Sequence, residues 1–342
     1  MTERLSLTQT LKLPHRSKGR QSAAAKERFR SACEKFCRLI LDIRATLDFD
    51  VSRRGWCYIL EEHGLGKGEF DAATKLLDLC RKSGQLPLDI CCEDEGRKAD
   101  HLESLDDETP EEYADGWIEH LKEHAHESYT PISFWEALPV YIEMVVEKID
   151  LKSLFDPICE QFHIAIRNAG GWGDIPGRAV MMRRFQEWEG KGKQCVLLYC
   201  GDHDPVGLHM SNRLRKGFEE LKGAVGWDPA NLIITRFGLN YDFIEEQGLT
   251  WIDGLETGSG MHLEDPGHHL ANADYVQDYI RQFGERKCEA NALVVRPDAG
   301  RALCRDAIRE YVPDDAIGKY ERGLKSYRRK VKEEIRQRLV ER

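Results

Sequence analysis

The sequence predicts an α/β domain with a parallel sheet and helices on both faces, preceded by a smaller unit of winged helix-turn-helix type. Three observations carry this expectation. From Phe134 onward, apolar strand-like runs alternate with helical segments, the pattern of strands laid parallel between helices. Upstream of them, two short helical segments separated by a glycine turn run into an apolar stretch. Two of the later strand-like runs end in acids and one in glycines, and sheets of this kind bind ligands outside the carboxyl ends of their strands.

The elements follow in order. Residues 22–46 set Phe29, Cys33, Phe36, Cys37, Ile40 and Ile43 at helical spacing, which predicts an amphipathic helix. "DFDVSRRGWCYILEEHGLG" supplies Ser52 as a cap, a short helix and a glycine stop. "GEFDAATKLLDLCRKSGQLP" predicts a second helix that turns Phe70, Leu76, Leu77 and Cys80 inward and ends at Gly84. "LPLDICCED" then reads as a strand. The acidic stretch 93–130 should hold one helix near 110–125 and connect two domains. "PVYIEMVVE", "HIAIRNAGG", "QCVLLYCGD" and "NLIITRFGL" read as four strands, with helices between them. The last helix, 319–340, carries Tyr320, Leu324, Tyr327, Val331, Ile335 and Leu339 as one apolar stripe under a basic surface. The expected organisation is a basic helical segment (1–46), a helix-turn-helix unit with its acidic linker (47–130), the sheet domain (131–318) and a basic terminal helix (319–342).

Composition narrows the setting. The formal net charge of −10 argues at first against nucleic acid, but its distribution matters more than its sum. Residues 1–54 hold 13 Lys/Arg against 6 Asp/Glu, and residues 319–342 hold 10 against 4, while acids crowd 93–124. Solvated helix faces account for the basic ends as well as DNA does. No apolar run is long enough for a membrane span, and the first residues lack the apolar core of a secretory signal. The eleven cysteines form no CxxC pair, so a zinc ribbon is excluded and a reducing cytoplasm is expected. His262, His268 and His269 share a loop, at a spacing that fits no standard metal site.

The sharpest feature is "VLLYCGDHDPVGLHM", residues 196–210, where a buried strand runs straight into Asp202 and Asp204. With Glu147 at the end of an earlier strand, three carboxylates converge on one edge of the sheet. A cation of Mg²⁺ type takes hard oxygen ligands of this kind and neutralises charge on a phosphodiester during displacement. Paired acids at a strand end also serve as plain helix caps. "VVEKIDLKSLF", followed about fifty residues later by "LLYCGDHDPVGLHM", resembles the Toprim domain of topoisomerase VI A subunits. That family includes the meiotic double-strand-break transesterases and the reduced stand-alone forms called Mini-A. "RNAGGWGD" is similar to the family's glycine-rich stretch, and "QDYIRQFGERKCEANAL" to its closing part. The resemblance implies a winged helix before a Toprim domain, with Mg²⁺ held by Glu147, Asp202 and Asp204. It also implies double-stranded DNA as partner and a homodimer in which one protomer's tyrosine works with the other's acids. An ATPase subunit of GHKL type is the further partner implied, and the 342 residues carry no such pattern themselves.

"RRGWCY", residues 53–58, is similar to the family's nucleophile motif, with Arg54 in the arginine place and Tyr58 in the tyrosine place. Gly55 stands where the family has an acid, and Cys57 where it has an aromatic. On a helix of 100° per residue, Trp56, Ile59 and Leu60 share one sector and Tyr58 lies with Arg54 opposite, which predicts an exposed tyrosine. Three functions are compatible with these residues. One is a Mg²⁺-dependent type IIB topoisomerase-like transesterase making a 5′-phosphotyrosyl link through Tyr58. The others are a hydrolytic Toprim nuclease in which water attacks, and a DNA-binding module without activity.

Overall fold

Ser22 accepts the backbone N–H of Ala25 and opens helix α1 (Ala23–Arg44), the first long element of the computed structural model, which describes residues 11–16, 22–92, 105–169, 174–257 and 260–340. Helix α1 buries Cys33, Phe36, Cys37 and Ile40, the face its spacing predicts. Ser52 caps helix α2 (Arg53–Glu62), and helix α3 (Phe70–Lys82) packs against it through Phe70, Ala73, Leu76, Leu77 and Cys80. The helix pair is therefore as expected. The strand of the wing is not. Residues 88–90 form a 3-10 turn, and residues 93 and 94 lie outside the described part. The backbone groups a ladder would need are engaged elsewhere: Arg81 donates to Leu88 O, Trp56 Nε1 to Ile90 O, and Cys92 N to Val51 O. Pro87 offers no N–H at all. Among the described residues no strand precedes Val140.

Helix α4 (Pro110–Glu123) follows, closed at its start by a Thr109–Glu112 capping box. The sheet then begins with β1 (Val140–Val146), and α5 (Ile149–Gln161) leads to β2 (Ala165–Asn168). Helix α6 (Ile175–Gly190) leads to β3 (Gln194–Cys200). Between β3 and the last strand the chain forms three helices, α7 (Pro205–Leu208), α8 (Met210–Glu219) and α9 (Lys222–Val225), and β4 (Ile233–Gly238) completes the sheet. All four strands are parallel, in the order β2-β1-β3-β4. The step from β1 to β2 runs one way across the sheet and the later steps run the other way. Right-handed crossovers therefore put α5 on one face and α6 and α8 on the other. Every residue of β1 is buried, including Glu143, whose carboxylate is bound by both Arg184 Nε and Nη2 at 2.7 and 2.6 Å.

Beyond the sheet come α10 (Tyr241–Gln247), β5 (Ile252–Asp253), α11 (Asp274–Phe283) and β6 (Arg286–Lys287), with β5 and β6 antiparallel. A 3-10 turn, Ala290–Val295, packs on α2 and α5 before α12 (Pro297–Arg309) and α13 (Ala316–Val340) close the chain. One continuous apolar core runs from Cys33 of α1 through the sheet to Leu324 of α13. A smaller one, Leu255, Leu263, Val276 and Tyr279, lies under the loop after β5. All eleven cysteines are free thiols, and no described helix is long and apolar enough to cross a membrane.

Candidate functional site

In the order β2-β1-β3-β4 the crossovers reverse direction between β1 and β3, and a crevice opens at the carboxyl ends of those two strands. Glu147 follows β1 and Asp202 follows β3, so the fold places both at the switch point. A cavity of about 800 Å³ opens there, lined by Glu147, Lys148, Asp202, Asp204, Lys287 and Glu289, with Val206, Leu255 and Leu263 as its apolar part. The three carboxylates predicted at strand ends therefore share one cavity of nucleotide size.

Hydrogen bonds fix each acid. Glu147 Oε2 accepts the Asp202 N–H and the Tyr199 hydroxyl, both at 2.9 Å. Asp202 Oδ1 accepts the Ala290 N–H at 2.7 Å, and Asp204 Oδ1 accepts the Gly207 N–H at 2.5 Å. The glycines in "CGDHDPVG" allow this approach. A Cβ at Gly201 would strike Tyr199 and Glu147, and one at Gly207 would strike the Asp202 carbonyl. Arg236, half-buried behind the loop, donates to Asp202 O at 3.1 Å and to Leu239 O at 2.5 Å. His203, between the two aspartates, points away among Tyr241, Trp251, Tyr279 and Phe283, and burial pushes it down to about 4, so it is neutral.

The electrostatics show an under-neutralised acid cluster. Burial pushes Asp202 up to about 7 against the pull of Lys148, with the charges of Glu147 and Asp204 adding to the rise. Asp204 is also raised, by burial first. Glu147 is the exception: burial would raise it, but Lys148 and its backbone and hydroxyl donors outweigh burial and hold it below the usual range. Lys148 Nζ lies 2.8 Å from Asp202 Oδ2 and 3.4 Å from Glu147 Oε1, so an ammonium stands between two of the acids. The donor set suits Mg²⁺ in kind, being hard oxygens with a deficit of positive charge. Among the described residues, however, no group of three or more His, Cys, Asp or Glu side chains is arranged to hold a metal ion. Coordination by all three acids would require Lys148 to move aside.

Tyr58 departs from expectation. Its side chain is 1% exposed, and the whole run Gly55–Leu60 is buried, because α2 is enclosed by α3 on one side and the 290–295 turn on the other. The amphipathic wheel fails here because both faces have a neighbour. The Tyr58 hydroxyl donates to Glu289 Oε2 at 2.9 Å, and Arg54 binds the same carboxylate through Nε at 3.0 Å and Nη2 at 3.3 Å. Burial, with the Glu289 charge adding to it, pushes the phenol well above its ordinary value. Arg54 and Tyr58 are thus together, as predicted, and Glu289 joins them to the wall of the acid cavity. Glu289 and Lys148 were not singled out from sequence. Lys148 was next to a chosen residue; Glu289 is 231 positions from Tyr58, and no local pattern marks it. The Gly170-Gly171 loop lies outside the described residues.

Gly55, where the resembled motif carries an acid, has a structural explanation. A Cβ there would lie 2.7 Å from Asp150 Oδ1 and 2.8 Å from Val51 Cγ1. Asp150 is fully buried and accepts from the Ser52 hydroxyl at 2.6 Å, from the Ser52 N–H and from Asn291 Nδ2. An acid thus occupies that space from another helix and ties the start of α2 to α5 and the 290–295 turn. Gly55→Ala is expected to destabilise the protein by about 1–2 kcal/mol through overpacking, measured by urea unfolding. An unchanged midpoint would mean that α2 shifts freely.

Compared with protein-family models, with curated proteins and with solved structures, the chain has no match in any of the three. The family resemblance therefore rests on the quoted motifs alone.

Proposed function

We propose that this chain cleaves DNA phosphodiester bonds at the acid cavity in a divalent-cation-dependent reaction, with water as the attacking group. One observation supports this most: Glu147, Asp202 and Asp204 meet at the switch point of a parallel sheet, in one cavity sized for a nucleotide. Mg²⁺ held by these three acids would supply Lewis-acid neutralisation of the phosphate charge. The chain's own contribution is position. Tyr199 and the Asp202 N–H orient Glu147, the Ala290 N–H orients Asp202, and Arg236 anchors the loop that carries both aspartates. Lys148 and Lys287 bring fixed positive charge to the same walls, where a phosphate would meet it.

A second reading, transesterification through Tyr58, is favoured by the place of Arg54 and Tyr58 behind the same cavity wall. It requires the hydroxyl to leave Glu289 and the phenol to reach solvent. Burial and the carboxylate both hold the proton on oxygen, and for that reason water is preferred.

Tyr58→Phe decides between them. The variant keeps the ring against Phe70 and loses one hydrogen bond, while Arg54 still covers Glu289, so the stability cost is about 1 kcal/mol. Labelled plasmid treated with detergent and protease after the reaction reports protein joined to DNA ends. The expected result is unchanged cleavage and no joined protein for either form. Joined protein with the native chain, together with loss of cleavage in Tyr58→Phe, would replace hydrolysis by transesterification.

A further inference from the structure

Donors within the fold hold one oxygen of each acid and leave the other to the cavity. Glu147 Oε2 accepts from Asp202 N and Tyr199, Asp202 Oδ1 from Ala290 N, and Asp204 Oδ1 from Gly207 N. The remaining oxygens are Glu147 Oε1, Asp202 Oδ2 and Asp204 Oδ2. Lys148 Nζ meets the first two of them, at 3.4 and 2.8 Å, and these are its ion pairs among the described residues. Its backbone is fixed, because Lys148 O accepts the N–H groups of Leu151 and Lys152 at 3.1 and 3.3 Å as α5 begins. Its four-carbon stem can turn, since the side chain is 28% exposed and borders the cavity of about 800 Å³. Lys287, on the same wall, is held differently. Its ammonium donates to the Glu256 carbonyl at 2.8 Å and pairs with Glu289 at 3.7 Å, not with the three acids.

We propose that Lys148 is a built-in competitor for the divalent cation, its ammonium taking the two oxygens that a cation shared by Glu147, Asp202 and Asp204 would need. The inference rests on the reading of these acids as cation ligands, but it requires no reaction. An ammonium and a hard cation are drawn to the same anionic oxygens, the one through three N–H donors and the other through direct coordination. Two positive centres repel each other at such a distance, so the ammonium must turn away as a cation enters. Part of the cation's attraction is then offset by breaking the lysine's two ion pairs. Lys148 thereby screens the mutual repulsion of the acids and lowers the affinity with which they take up a cation. It makes the site one that exchanges its cation instead of retaining it.

Mn²⁺ binding to the full chain, followed by the electron paramagnetic resonance of the free ion at pH 8.5 without DNA, tests it. Lys148→Met keeps an unbranched apolar stem and removes the charge, and Lys148→Gln is the second variant should methionine not fold. Either should bind Mn²⁺ about tenfold more tightly than the native chain, or more. Lys148→Arg keeps the charge and should stay within about threefold of native. Lys287→Met removes the same charge from the same wall without freeing an acid oxygen, and should strengthen binding by less than about threefold. Damage to the fold would weaken binding, so a gain is not what a merely structural lysine gives. Equal or weaker binding in the Lys148 variants overturns the proposal, and so does a gain that Lys287→Met matches. If that equal binding is still lost in Asp202→Asn, the acids remain cation ligands and only the role of Lys148 falls. Mn²⁺ bound by neither form strikes both readings.

Discussion

Asp202→Asn and Asp204→Asn are each expected to reduce divalent-cation-dependent DNA cleavage to background, a loss of about a thousandfold or more. The size follows from what a cation does at a phosphodiester, where several kcal/mol of charge stabilisation correspond to about a factor of ten for each 1.4 kcal/mol. The fold should persist, for a reason visible at each acceptor. Asparagine keeps the oxygen that receives the Ala290 N–H at position 202 and the Gly207 N–H at position 204. It also removes a buried charge that the folded chain stabilises poorly, since Asp202 is pushed up to about 7. The same change takes one of two acids from Lys148 and leaves it Glu147, so the two effects oppose each other and the melting temperature of Asp202→Asn should change little. Cleavage of supercoiled plasmid and calorimetric titration with Mg²⁺ check the two halves separately. Native cleavage by the double variant would remove the acid cavity from the chemistry, and loss of cleavage with intact Mg²⁺ binding would assign the aspartates another role. If the native chain binds DNA but never cuts it, a DNA-binding module is what remains.

How far the sequence could be read depends on the range of the forces involved. Strand β1 is apolar at nearly every position because helices cover both faces of the sheet, and that local pattern predicts β1, β3 and β4 to within two residues, while β2 starts two residues later and ends three residues earlier than expected. The acids at 147, 202 and 204 could be brought together in advance because parallel topology fixes which strand ends are neighbours. Tyr58 failed for the opposite reason. Its burial is set by the 290–295 turn, more than two hundred residues away, and an amphipathic wheel assumes that one face of a helix sees water. The wing strand over 86–94 failed because a strand needs a partner. At Leu88 and Ile90 the carbonyls are bound by Arg81 and Trp56 side chains instead. Lys148 shows a third limit: its type and position were plain, but only geometry shows it standing between Glu147 and Asp202.

The residue with the largest expected structural effect is Glu289, because one carboxylate receives Arg54 twice and Tyr58 once. Glu289→Ala leaves a mostly buried phenol without a partner and Arg54 without a counter-charge. Breaking a fully buried pair from one side costs about 3–5 kcal/mol, but the Arg54 side chain is 38% exposed and regains water, so about 2–3 kcal/mol is expected here. The effect has a definite dependence on pH. Burial alone would raise the Glu289 carboxyl, yet the Arg54 hydrogen bonds and charge outweigh it and hold the group below its usual range. A carboxyl depressed in the folded state adds stability above its unfolded value, near 4.3, and loses it as pH falls through the folded value. The gap in unfolding free energy between the native chain and Glu289→Gln should therefore be fullest near neutrality and narrow as the solution is taken into acid below about 4. Urea titrations at a series of pH values measure it. A gap that widens on acidification would mean that Glu289 is protonated in the folded protein, and the Arg54–Glu289–Tyr58 cluster would then be a neutral hydrogen-bond network, not the ion pair that holds Tyr58 away from solvent.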